Sequence, residues 1–68
     1  MSNCKVELDW DDEASVWLAT SDDVPGLVLE SGSLDALMER VKYAVPDLLN
    51  VHDAKIDFKA ERITEVHV

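Results

Sequence analysis

Between Ser33 and Asn50 the apolar residues recur at steps of three and four: Leu34, Leu37, Met38, Val41, Val45 and Leu48. That spacing sets them on one stripe of an α-helix, with Asp35, Glu39 and Lys42 pointing away from it. Gly32-Ser33 supplies the start. The Ser33 hydroxyl caps a free N–H, and Asp35 sits near the positive end of the helix. Pro46 interrupts the pattern: it removes the bond to the Lys42 carbonyl and crowds it, at a cost of ~3 kcal/mol in an ordinary helix interior. Because Val45, Leu48 and Leu49 carry the apolar face onward, the expected form is a kink, or a stop with a restarted turn. Asn50 to Ala54 then form an exit loop.

The flanking segments alternate instead. From Lys5 to Trp10, the residues Val6, Leu8 and Trp10 share a face with Cys4, while Lys5, Glu7 and Asp9 take the other. This is the pattern of a strand with one wet side. Asp11-Asp12-Glu13-Ala14 is a polar break, read as a hairpin loop. Ser15 to Thr20 forms a second strand, apolar on both faces: Val16 and Leu18 on one, Trp17 and Ala19 on the other. Such a strand lies centrally and is covered on both sides. A four-residue loop sets Leu8 opposite Trp17 and Val6 opposite Ala19, whereas a five-residue loop sets Leu8 opposite Leu18. Pro25-Gly26 suits the centre of a type II turn, and Leu27 to Glu30 follow as a short third strand closed by Ser31-Gly32. From Lys55, the residues Ile56, Phe58 and Ala60 alternate with Asp57, Lys59 and Glu61 in a fourth strand. Val66 and Val68 keep its parity, and Ile63 breaks phase as a bulge would.

Three strands, a helix and a strand make an α+β domain. Hairpin connections place the first three strands antiparallel, and a right-handed crossover through the helix sets the fourth beside the first, in parallel. The expected sheet is four-stranded and mixed, in the order 3-2-1-4, with the helix on one face. One helix covers one face of such a sheet, so either Val16 and Leu18, or else Trp17, needs cover from another subunit. No internal repeat, linker or low-complexity segment divides the chain, so residues 1–68 read as a single domain.

Size strengthens the case for a neighbour. A chain of 68 residues buries only about 60% of its unfolded surface, and oligomerisation is a usual remedy where disulfides and metals are absent. The single Cys4 allows no internal disulfide and offers no metal-ligand spacing. No apolar run approaches the ~20 residues of a membrane span, and MSNCKVELDWDDE lacks a signal-peptide core, so a cytoplasmic location is expected. Fifteen acidic residues against six basic ones give a net charge of −9. That charge argues against a grip on nucleic-acid phosphates and makes a basic protein the natural complement.

The carboxylates gather in two places: Asp9, Asp11, Asp12 and Glu13 in one, Asp22 and Asp23 in the other. Clustered oxygen ligands can hold Mg²⁺ or Ca²⁺. The D-x-[DN]-x-[DN]-G pattern of a calcium loop is missing, however, and solvated turn carboxylates are the simpler reading. His52 and His67 have no neighbouring Ser or Cys nucleophile, and Cys4 reads as a small buried hydrophobe. With Gly26 and Gly32 the sole glycines, there is no glycine-rich phosphate loop, and no cofactor is expected. Arg40 and Tyr43 share the helix side away from the core stripe. Both types are enriched at binding hot spots, although most such helix residues are simply surface.

The run from Val16 to Leu49, VWLATSDDVPGLVLESGSLDALMERVKYAVPDLL, resembles the HicB-like antitoxin families, and above all their short bacterial members. The likeness is carried by Trp17, Ala19, the Asp23-Val24-Pro25-Gly26 turn, the short strand from Leu27 to Glu30, and the Ser33-Leu34 helix start. Trp10, Pro46-Asp47-Leu48-Leu49 and the overall length extend it. The resemblance implies a β-β-β-α-β, partial ribonuclease H-like fold, usually dimeric. It also implies that Trp17 and Ala19 face the helix, leaving Val16 and Leu18 for the opposite face. Full HicB antitoxins bind a small basic ribonuclease toxin, HicA, and cover its active site. They also carry a C-terminal DNA-binding domain, which is not expected within these residues, so DNA binding is not carried over.

The resulting expectation is a non-enzymatic, homodimeric HicB-like interaction domain that neutralises a basic HicA-like toxin by occlusion. Asp11, Asp12, Glu13, Asp22 and Asp23 are the candidate partner contacts, and Val16 and Leu18 those for self-association. No catalytic, metal or cofactor site is expected, and no membrane or direct nucleic-acid contact. Two alternatives stand beside this reading. One is a degenerate ribonuclease H-like, metal-dependent nuclease using Glu7 and Asp9. The other is a stand-alone oligomerising domain whose partner is unrelated to toxins.

Overall fold

A computed structural model describes residues 3–61. In chain order the elements are β1 (Asn3–Asp11), β2 (Val16–Thr20), β3 (Val28–Ser31), α1 (Leu34–Leu49) and β4 (Lys55–Glu61). They build a four-stranded sheet in the order β3-β2-β1-β4. β2 is antiparallel to both β1 and β3, while β4 runs parallel to β1. This is the mixed α+β sheet that the hydropathy pattern predicts. α1 lies against β2 and β3 on one face of the sheet. Between the layers sit Cys4, Val6 and Leu8 of β1, Ala19 of β2, and Leu37, Val41 and Val45 of α1, with Val24 and Leu27 contributed by the β2–β3 connection. At ~1.5–3 kcal/mol for each large aliphatic side chain taken out of water, this cluster drives folding. The expected continuation of β4 through Ile63, Val66 and Val68 lies outside the described residues.

The β1–β2 register differs from both expected ones. Leu8 stands opposite Ala19, Trp10 opposite Trp17 and Asp11 opposite Val16. The loop is therefore Asp12 to Ser15, one residue later than the polar break suggests. The cause lies in the turn itself. Asp11 ends β1, and its Oδ1 accepts the N–H groups of Glu13 at 3.1 Å and Ala14 at 3.2 Å. This side-chain turn competes with a tighter hairpin, and Ser15 sends the chain back with a φ of 55°. Moving the loop by one residue lengthens β1 and shortens β2 together, so side-chain parity survives. Trp17 and Ala19 face the helix, as the family resemblance implies, and Val16 and Leu18 point to the other side. The Trp10 and Trp17 rings meet edge to face, with centroids 5.5 Å apart and an interplanar angle of 61°.

α1 starts as expected, with the Ser33 Oγ accepting the Ala36 N–H at 3.3 Å. Its far end corrects two expectations. Of the two forms expected at Pro46, the stop with a restarted turn is corrected: the helix runs on through Pro46 to Leu49. Pro46 falls in the last turn, where its own carbonyl accepts the Val51 N–H at 3.0 Å and the Asp47 carbonyl accepts the Asn50 N–H at 3.2 Å. Asn50, left-handed at φ 54°, completes a Schellman closure. The second correction concerns Leu48. Helical spacing assigns it to the core stripe, yet it is 47% exposed, because the buried stripe ends with Val45 and the closing turn half-buries Leu49 and Val51 instead. β3 begins at Val28 rather than Leu27. The Leu27 N–H returns to the Val24 carbonyl at 3.1 Å, around Gly26 at φ 88° in the position a type II turn reserves for glycine.

Candidate functional site

The sheet face away from α1 is left uncovered by the described chain. Its β1 and β4 half is charged, with Lys5, Glu7 and Asp9 on one strand and Lys55, Asp57 and Lys59 on the other, all exposed. Its β2 and β3 half is mixed, with Val16, Leu18 and Val28 beside Thr20 and Glu30. Val16 and Leu18, the residues expected to mediate self-association, are half-buried there. Leu18 forms a cross-strand row with Asp9 and Glu30, and Thr20 forms the next with Glu7 and Val28. Val28 is 68% exposed, which makes it the most accessible apolar side chain on this face. The sequence pattern misses it because a strand begun at Leu27 gives no clear inner and outer side. Once Leu29 is known to face the helix, alternation sends Val28 outward.

The acidic candidates form two patches. Asp11, Asp12 and Glu13 lie in the β1–β2 turn, and Asp22 and Asp23 follow the other end of β2. The five residues of that strand separate them by roughly 17 Å at the usual strand rise. Several of these carboxylates shape their own loops. Asp11 holds the turn, and the Asp12 Oδ1 accepts the Trp10 Nε1–H at 3.3 Å. The Asp23 Oδ2 accepts the Lys5 N–H at 2.8 Å. Ser21 Oγ donates to the Lys5 carbonyl at 2.6 Å and accepts the Asp23 N–H at 3.1 Å. The loop thereby continues the β1 ladder past the last paired residues of β2. Glu13 and Asp22 are exposed. Asp22 lines a shallow hollow of about 180 Å³ with Lys5, Glu7 and Asp23. One consequence is testable by urea unfolding. Asp23→Ala is expected to lower stability by roughly 1 kcal/mol, because the Lys5 amide loses a charged acceptor. Asp22→Ala in the same loop should leave stability unchanged.

The model of a domain of unknown function, DUF1902, matches residues 3–66. The chain belongs to the DUF1902 family. A solved structure, that of a hypothetical protein from the extremely thermophilic bacterium Thermus thermophilus, is similar to this DUF1902 chain at 36% identity with a TM-score of 0.80. The likeness covers 94% of this chain and 99% of that one. No curated protein matches it.

The remaining sequence candidates take their places in the DUF1902 fold as follows. Glu7 and Asp9, the pair a nuclease would use, share the open face of β1. Lys59 stands across from Glu7 in the parallel register, placing a cation where a metal would need anions. Among the described residues, no three His, Cys, Asp or Glu side chains gather where a metal ion could be held. Cys4 is buried in the core. His52 is exposed, and it lines an open depression with Pro46, Asp47, Asn50 and Val51 at the end of α1. His67 lies outside the described residues. Tyr43 is 73% exposed, and Arg40, also exposed, donates from Nη1 to the Glu30 carbonyl at 3.2 Å. Residue types do not announce that last contact, because its acceptor is backbone.

Proposed function

We propose that this DUF1902 chain is a small HicB-like protein-interaction domain with no chemistry of its own. It self-associates through the open sheet face and occludes a small basic protein, a HicA-like ribonuclease toxin, in an antitoxin-like role. Three uncovered apolar residues carry this reading: Val16, Leu18 and Val28 lie on the side of the sheet away from α1. For a chain this small, covering that strip with a second copy adds apolar burial that one core cannot supply. The charge of −9 directs the second contact toward a cation-rich partner. Exposed carboxylates such as Glu13 and Asp22 steer the encounter, and apolar surface holds it. The role belongs to the cytoplasm, where such a toxin would meet RNA, and α1 is not long and apolar enough to cross a membrane.

Titration of the purified chain into a HicA-type toxin tests the occlusion. Toxin ribonuclease activity is expected to fall as the chain is added and to return as salt screens the contact. Combining Glu13→Gln with Asp22→Asn should weaken the complex by about tenfold, equivalent to roughly 1.4 kcal/mol. A toxin that cleaves RNA undiminished in an excess of the chain would remove the antitoxin reading.

A further inference from the structure

We infer that the outer edge of β3 is a docking edge for the β3 strand of a second copy, and that Arg40 holds it closed in the single chain. This contact is distinct from the proposed face contact.

Backbone direction gives the first step. Both the N–H and the carbonyl of Lys5 are taken from the β2 side, by Asp23 and Ser21. Odd-numbered residues of β1 therefore turn their backbone groups toward β2. Alternation along the registers then sends Leu18 and Thr20 toward β1, Trp17 and Ala19 toward β3, and Leu29 and Ser31 toward β2. Val28 and Glu30 are left with their N–H and carbonyl groups at the outer edge. The Glu30 carbonyl is met at 3.2 Å by Nη1 of Arg40, which occupies the place of an added strand's N–H.

The two edges of the sheet are guarded differently. β4 presents Lys55, Asp57 and Lys59, and charged side chains of this kind discourage strand addition. β3 carries a single charge, Glu30, beside the exposed Val28. A chain of net charge −9 meets little like-charge repulsion there. A second β3 also complements it. Pairing Val28 of one copy with Glu30 of the other, about a two-fold axis at Leu29, sets outward backbone groups against outward groups within the Val28–Ser31 strands. Each Glu30 then falls opposite Val28 of the other copy instead of opposite another carboxylate. Only the guanidinium has to move.

Sedimentation velocity on the full chain tests this, with Leu18→Glu as background to remove the face contact. Arg40→Met keeps an apolar stem at an exposed position and removes the donors. It is expected to tighten association at least about tenfold, the scale of one charged hydrogen bond no longer competing. The Val28 and Glu30 amides should become protected from exchange as concentration rises. Adding Glu30→Pro should abolish the gain, because the N–H it removes faces outward and the ladder to β2 stays intact. The inference is overturned if the Arg40→Met chain sediments like its background at every concentration, or if its added association survives Glu30→Pro. Leu18→Glu alone reports on the face, so the two contacts fail independently.

Discussion

Leu37→Ala is expected to remove a large part of this domain's stability, as read by circular dichroism and urea titration. Leu37 is fully buried at the centre of the α1 stripe, between Val41 on its own helix and the inner face of the sheet. Truncating such a leucine costs about 2–5 kcal/mol, the spread reflecting how far the site can collapse. A chain of this length has a total stability of only about 3–10 kcal/mol. The loss therefore takes a large part of the whole. Leu48→Ala is the informative companion. Sequence spacing puts Leu48 on the same stripe, but its exposure in the closing turn of α1 limits the expected loss to below about 1 kcal/mol. Equal damage from the two substitutions would contradict the packing described here.

Leu18→Glu is expected to separate self-association from folding. Leu18 is half-buried on the open face, in a row already holding Asp9 and Glu30. In the single chain a carboxylate there remains solvated, and crowding by its neighbours should cost roughly 1 kcal/mol. Across an interface the same carboxylate is desolvated without a partner, a penalty of several kcal/mol. Self-association should weaken by at least about a hundredfold. Light scattering reads the first effect and denaturation the second. Ala19→Glu, one residue along but directed at the helix and fully buried, should instead prevent folding. If both variants unfold alike, Leu18 belongs to the core and the face is not free.

Those contrasts show which features a sequence makes legible. The two periodicities locate every element, and alternation alone puts Cys4, Val6 and Leu8 inside and Glu7 and Asp9 outside. The sheet order follows from connection lengths and handedness. Where side chains bond to backbone, residue types are silent. The Asp11 carboxylate moves the hairpin by one residue because it captures two amides, which polarity cannot reveal. Asp23 has the same composition signal as Asp22 and is likewise exposed, yet it is Asp23 whose carboxylate accepts the Lys5 amide. Arg40 reads as generic helix surface until the direction of the Glu30 carbonyl is known. Leu48 is misplaced for a different reason: helical spacing says which way a residue points but not where the buried stripe ends.

The central claim is that the sheet face opposite α1 is covered by a second copy of the chain. The mass of the full chain in solution, measured by light scattering across micromolar concentrations, tests it most directly. A mass approaching twice the 7.6 kDa of one chain is the expected result. A constant 7.6 kDa throughout that range would contradict the claim.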